Sequence, residues 1–263
     1  MAIEIKNASF AYPNGYRALE HINLTINEGE RVAIVGQNGA GKTTCVKMMN
    51  GLHRPVEGDV IVDGVNTKSV TTATTARVVG YVFQNPDEQI FNNTARKEIE
   101  YMLRYMKKDE QEIEARVKKA VDLTQIEKYL DTNPYEIPYP IRKFVSIAAV
   151  IAADPKYIIL DEPTAGQDLH GTRVLSSLIA ELHKEGKTII TITHDMEFAL
   201  NNFDRVVAMA HKNVIADGTA ADIFWNEEVV KDSRIKMPIM AQLAKNIGLE
   251  GRILTSDELV KAL

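Results

Sequence analysis

The run Gly36-Gln37-Asn38-Gly39-Ala40-Gly41-Lys42-Thr43 constrains this chain more than any other stretch. It fits the phosphate-binding loop pattern G-x-x-x-x-G-K-[ST]. The apolar run Arg31–Val35 before it reads as a buried strand, and Thr44–Asn50 after it reads as a helix closed by Gly51. Strand, loop and helix in that order are the context the pattern requires. Gly36, Gly39 and Gly41 let the backbone curl so that successive N–H groups point at one spot, and the following helix aims its N-terminal dipole there too. Lys42 can reach the β- and γ-phosphates of a nucleoside triphosphate, and the Thr43 hydroxyl suits Mg²⁺. Asn38, Ala40 and Thr44 belong to the same expected nucleotide cradle.

Composition narrows the rest. The chain has 263 residues, enough for a large core in one domain, with or without an appendage. A net charge of −5 gives no electrostatic reason to expect nucleic acid as a partner. Met1–Phe10 alternates and carries charge, unlike a signal peptide. The longest apolar run, Phe144–Ala153, is too short to span a bilayer. Cys45 is the only cysteine, so no internal disulfide forms and a cytosolic setting is favoured. On the helix after the loop, Cys45 fits a small buried core residue better than a reactive thiol.

The pattern predicts strands around Ile3/Ile5, Ala8/Phe10/Tyr12 and Ile22/Leu24/Ile26, with turns at Asn14-Gly15 and Glu28-Gly29. Val60–Val62 is a short strand before the Asp63-Gly64 turn, and Val78–Phe83 is a strand ending at Gln84. Residues 94–150 are helical in pattern, with Asp109 capping Glu110–Val121. From Tyr157 strands and helices alternate: Tyr157–Leu160, Gly171–Lys184, Thr188–Thr193, Asp195–Asn201 and Arg205–Ala208. That alternation predicts βα units and a parallel sheet. After Gly218 the chain turns helical, with Thr219 and Ser256 as expected N-caps and a short last helix over Thr255–Leu263.

The second half supplies further chemistry. Tyr157–Leu160 is an apolar strand that runs into Asp161 and Glu162. Asp161 can hold Mg²⁺, directly or through a water, and Glu162 can orient and polarise an attacking water. His194 follows the Thr188–Thr193 strand, at the sheet edge where open α/β sheets bind ligands, and there it would face the γ-phosphate. Gln84, at its own strand end, can bind Mg²⁺ or the attacking water. An ordinary polar strand end is the alternative for Gln84.

Together these motifs resemble the ABC-type ATPase subunits over nearly the whole chain. The resemblance implies an α/β P-loop NTPase of the ABC nucleotide-binding fold, with a RecA-like core, an antiparallel β subdomain and an α-helical subdomain. It makes residues 1–218 the ATPase domain, its helical part about 86–150, and 219–263 a C-terminal helical extension associated with dimerisation. It makes Gln84 the Q-loop residue, 157–162 the Walker B strand, Ala165-Gly166-Gln167-Asp168 the D-loop and His194 the switch histidine. It places Tyr12 against adenine, although a strand-edge aromatic would look the same. The D-loop departs at Gln167, where the family usually has Leu. Ser9–Pro13, Phe83–Phe91 and the tail through Leu243-Ala244-Lys245 are similar to the ATPases of energy-coupling factor transporters and cobalt importers. That similarity implies a membrane T component, an S component bound through it, and Asp87, Gln89 and Phe91 as contacts for the T component's coupling helices.

The pattern breaks at the family's signature, Leu-Ser-Gly-Gly-Gln. Its spacing from Asp161, with Pro134 before and Asp154-Pro155 after, lands it on Ile137-Pro138-Tyr139-Pro140-Ile141. In the family this motif donates a Ser hydroxyl and Gly N–H groups to the γ-phosphate of ATP on the opposite subunit. Pro138 has no hydroxyl, Pro138 and Pro140 have no N–H, and Tyr139 fills space that glycine leaves open. The helix is expected to survive, since proline is tolerated in a first turn and Phe144, Ile147, Ala148 and Ile151 form an apolar stripe. The expectation is an obligate heterodimer with a second, different ATPase whose signature is complete. It would sit at the cytoplasmic face of a prokaryotic membrane and use ATP and Mg²⁺ to drive uptake of a vitamin or transition metal. The alternatives are a non-transport ABC ATPase and a nucleotide-gated structural subunit with little turnover.

Overall fold

The computed structural model describes residues 1–249 and 251–263. β1 (Ala2–Ala11), β2 (Arg17–Asn27), β4 (Glu57–Val62) and β5 (Val65–Asn66) form an antiparallel sheet in the order β2-β1-β4-β5. The second sheet contains β3 (Arg31–Val35), β6 (Val79–Val82), β7 (Tyr157–Asp161), β8 (Thr188–Ile192), β9 (Arg205–Ala210) and β10 (Asn213–Gly218). Its order is β10-β9-β3-β8-β7-β6, and every pairing is parallel except β9 with β10.

The parallel strands are buried on both faces, which is why they read as unbroken apolar runs. Alternate residues enter different cores. Val32, Ile34, Ile159 and Ile190 pack with the antiparallel sheet and with α1 (Lys42–Met49). Ala33, Val35, Ile158 and Leu160 face the helical side. That side is built by α3 (Ala95–Tyr105), α4 (Glu110–Thr124), α5 (Tyr139–Ala152), α6 (Leu169–Lys184) and α7 (Met196–Asn202), while the short α2 (Thr72–Ala76) precedes β6. Asp109 caps α4 as expected, accepting from Glu112 N at 2.8 Å. α5 forms despite its prolines, with Pro138 at the N-cap and Pro140 in the first turn.

The chain then adds α8 (Ala220–Phe224), α9 (Glu227–Ser233), α10 (Ile239–Asn246) and α11 (Ser256–Ala262). Phe224, Val229, Ile235 and Ala241 join the helical-side core, whereas Ala244, Ile253 and Leu259 form a small separate cluster. Trp225 borders that cluster, and its indole N–H donates to the Ile253 carbonyl at 3.0 Å. Among the described residues, no helix is long and apolar enough to cross a membrane.

Two local readings need correction. β10 was not expected from the sequence. It closes a hairpin with β9 through His211 and Lys212, both left-handed at φ 49° and 65°, and this turn lacks the Gly that usually marks such a hairpin. The cap of the last helix is Thr255, not Ser256. Thr255 Oγ1 accepts from Glu258 N, and the Glu258 carboxylate accepts from Thr255 N, a reciprocal pair that needs Glu three residues after the cap.

Candidate nucleotide site

The order β3-β8-β7 puts three strand ends side by side, so the phosphate loop, His194 and the Asp161-Glu162 pair meet at one sheet edge. The loop follows β3, and two glycines are sterically required in it. A Cβ on Gly36 would lie 2.2 Å from the Met209 carbonyl oxygen, at φ 144°. One on Gly41 would lie 2.9 Å from the Ala18 carbonyl oxygen, at φ 99°. Lys42 folds back over the loop and donates to the carbonyls of Gly36 at 2.7 Å and Gln37 at 3.0 Å. Ala40 N–H closes the loop on the Gln37 carbonyl. Burial lowers the Lys42 pKa, opposed by the charges of Glu162 and Asp161.

The two carboxylates are held differently. The Tyr81 hydroxyl donates to Asp161 Oδ2 at 2.6 Å, while Oδ1 is buried with no hydrogen-bond partner. Glu162 sits in the left-handed region at φ 48°. Its N–H donates to the Ile192 carbonyl, and its Oε2 accepts from His194 N at 3.2 Å. Glu162 Oε1 lies 3.3 Å from His194 Nε2 yet makes no hydrogen bond of good geometry. Burial pushes the Glu162 carboxyl up to about 7. Burial, and then the charge of Lys42, hold the His194 imidazole below its ordinary value, so the two do not form an ion pair at neutral pH. The His194 ring also lies 3.4 Å from Lys42 Nζ.

One cleft of about 220 Å³ brings together Tyr12, Asn38, Gly39, Gly41, Lys42, Thr43, Thr44, Gln84, Asp161 and Glu162. His194 lines an adjoining cleft of about 810 Å³ that shares Asn38, Gln84 and Glu162 with the first. The Tyr12 hydroxyl pairs with Thr44 Oγ1 at 2.9 Å, and its ring lies near Tyr16 with centroids 6.5 Å apart. Tyr16 lines the same cleft and was not expected there. Asp168 lies outside both clefts and caps α6, accepting from Gly171 N at 2.7 Å.

At the start of α5, Pro138 and Tyr139 are exposed and Pro140 and Ile141 half-buried. The N–H groups of Ile141 and Arg142 both donate to the Pro138 carbonyl at 2.9 Å. Among the described residues of 138–141, Tyr139 alone keeps an N–H outside the helix's own bonds. Around Gln84 the contacts divide. Asp87 pairs with Arg142 at 2.6 Å, and the Gln89 amide bonds Phe83 N and the Ser146 carbonyl. Phe91 is 62% exposed and packs edge-on against Tyr101.

Two more residues at the site escaped the sequence reading. Tyr81 could be found only from the β6–β7 register, which puts it opposite Ile159, two residues before Asp161. Lys143 is fully buried, and its ammonium donates to the Glu162 carbonyl at 2.6 Å and the Ala165 carbonyl at 3.2 Å. Burial lowers its pKa to about 8, against the charges of Glu162 and Asp161. Its signal was a lysine four residues before Ile147, on the apolar stripe of α5.

A curled loop at a helix N-terminus, an ammonium and two strand-end carboxylates define the catalytic edge of a P-loop nucleoside triphosphatase. The unpartnered Asp161 Oδ1, the Thr43 hydroxyl and the Gln84 amide are the few hard oxygen donors that suit a Mg²⁺ shared with phosphates. Residues 19–165 match the family described as ABC transporter. The chain is 39% identical, over 99% of both lengths, to a Pyrococcus furiosus chain assigned as an ABC transporter ATP-binding protein. It is 38% identical to the energy-coupling factor transporter ATP-binding protein EcfA2 of Clostridium perfringens, over 95% of this chain and 91% of that one. The solved structure of cbiO1 from Clostridium perfringens, described as part of the ABC transporter complex cbiONQ, superposes with a TM-score of 0.78 at 33% identity, covering 92% of this chain and 98% of that one. The chain belongs to the ABC transporter ATP-binding family, whose members bind and hydrolyse ATP.

Proposed function

We propose that this chain is the ATP-hydrolysing subunit of an energy-coupling-factor-type importer, working beside a second, different ATPase with a complete signature. The likeness to EcfA2 and to cbiO1 of the cbiONQ complex supports the transporter type. The observation that carries the heterodimer is the first turn of α5, where prolines and internal bonds leave the Tyr139 N–H as the one free backbone donor. A second copy of this chain would meet each nucleotide with that turn. A partner with Ser and Gly there would complete the site built by this chain's loop.

In that site Lys42 and the loop N–H groups hold the phosphates, Tyr12 meets the adenine and His194 contacts the γ-phosphate. Thr43, Asp161 and Gln84 would hold Mg²⁺, which would offset phosphate charge there. Glu162 orients and polarises the attacking water, with Oε1 free to accept its proton. Asp87, Gln89 and the exposed Phe91, which packs edge-on against Tyr101, offer the membrane component a contact after the Q-loop residue. The 219–263 extension contributes to the ATPase pair, with Ile239, Leu243 and Ile247 exposed on and just after α10. The assembly lies at the cytoplasmic face of the membrane and imports a vitamin or transition metal.

Purification of the tagged chain from its native membrane tests this reading. A second ATPase with a complete signature and an integral membrane protein should co-elute; a lone homodimer would contradict it. In that complex Glu162→Gln should lower turnover by about 10²–10⁴-fold while ATP still binds. Persistence of turnover would mean that this carboxylate does not activate the attacking water.

A further inference from the structure

We propose that Lys143 is a positioning residue for ATP hydrolysis, its buried ammonium fixing the Glu162–Ala165 turn and thereby the aim of the Glu162 carboxylate. The proposal rests on the reading of Glu162 as the residue that engages water. Glu162 occupies a left-handed conformation, at φ 48°, that L side chains disfavour, so other contacts must hold it. Its N–H is tied to the Ile192 carbonyl. Its carbonyl accepts twice, from Ala165 N at 3.2 Å and from the Lys143 ammonium at 2.6 Å. The same ammonium reaches the Ala165 carbonyl, so one side chain spans both ends of the turn.

Packing alone does not account for a lysine here. Lys143 lies on the stripe that continues through Ile147 and Ile151, both buried, where Met or Leu would fill the space with no charge to desolvate. What the lysine adds is a second donor for the Glu162 carbonyl. A further tether lies beyond the turn, where the Gln167 side-chain amide donates to the Pro140 carbonyl at 2.8 Å. The 162–167 segment is therefore bound to α5 at Lys143 and at Pro140.

The test uses the complex co-purified with its partner ATPase and compares Lys143→Met, Lys143→Arg and Glu162→Gln. Lys143→Met should lower kcat by about tenfold or more, as small misplacements of a reacting group do, with ATP affinity unchanged within about twofold. Lys143→Arg, which returns a buried cation, should recover most of that loss. Added to Glu162→Gln, Lys143→Met should bring no further loss, because residues acting as a unit are not additive. If Lys143→Met does not fold, Lys143→Gln, which keeps one donor, carries the same comparison. The proposal is overturned if kcat holds in Lys143→Met, or if kcat and ATP affinity fall together in both uncharged variants. Full turnover in Glu162→Gln would take down the underlying reading as well, whereas loss there with normal turnover in Lys143→Met would remove only the lysine's role.

Discussion

The nucleotide edge and the first turn of α5 lie on one chain and are held to one another, yet they are finished to different degrees. At the edge, Lys42 wraps the loop, Tyr81 secures one oxygen of Asp161 and His194 N–H secures one of Glu162, while the other oxygen of each carboxylate is left unpartnered. At the turn, the helix is complete and, of residues 138–141, Tyr139 alone has an N–H outside the helix's own bonds. Pro138 and Pro140 fit the entry of a helix because that position needs no N–H from them, and the same absence removes what a phosphate would bind. Helix formation and anion binding use the same backbone groups, so a sequence can keep the first and lose the second.

The sharpest way to break this contrast is to rebuild the turn. Pro138→Ser with Tyr139→Gly and Pro140→Gly should raise the turnover of the chain alone by at least about 10²-fold, since each donor of this kind is worth roughly 10²–10³ in rate. The two glycines cost α5 about 1 kcal/mol each, which a melting curve would register separately. No gain in phosphate release would mean that the turn is not what limits the lone chain.

A smaller effect concerns the edge. Tyr81→Phe removes the donor to a buried carboxylate, and urea unfolding should show a loss of about 1–3 kcal/mol. An unchanged unfolding midpoint would show that Asp161 finds another partner. Smaller still is the pH dependence of Glu162. Its carboxyl is raised from an ordinary 4.5 to about 7, and the ionised form is the one that accepts a proton. kcat/KM of the complex should therefore rise with pH and level off above about 7. Stability has the opposite sign: the contribution of the protonated carboxyl is present below the ordinary value and is lost as pH rises through about 7. A flat kcat/KM between about pH 6 and 8 would contradict both the raised pKa and the role.

Much of this was legible in the sequence because it is local. The phosphate loop carries its own strand, glycines and helix, and Asp161-Glu162 and His194 each end an apolar strand. The contrast at Pro138–Ile141 was also legible, since a missing N–H is a property of the residue. What the sequence did not show depends on pairing. Tyr81 meets Asp161 through strand register, and Lys143 meets Glu162 across α5 and the turn after β7. The β9–β10 hairpin was missed because His211 and Lys212 adopt positive φ without the residue types that usually signal it. Gln167 drew notice as a departure, but its bond to Pro140 needed the fold.

On the proposed reading, this chain supplies a competent nucleotide edge that only a different subunit can close. Steady-state phosphate release from the purified chain, alone and mixed one to one with an ATPase that carries a complete signature, tests it directly. Turnover of the chain alone should fall at least about 10²-fold below that of the pair, with Glu162→Gln in this chain lowering the pair's activity by about 10²–10⁴-fold. Equal turnover in the two preparations, or a pair indifferent to Glu162→Gln, would contradict it.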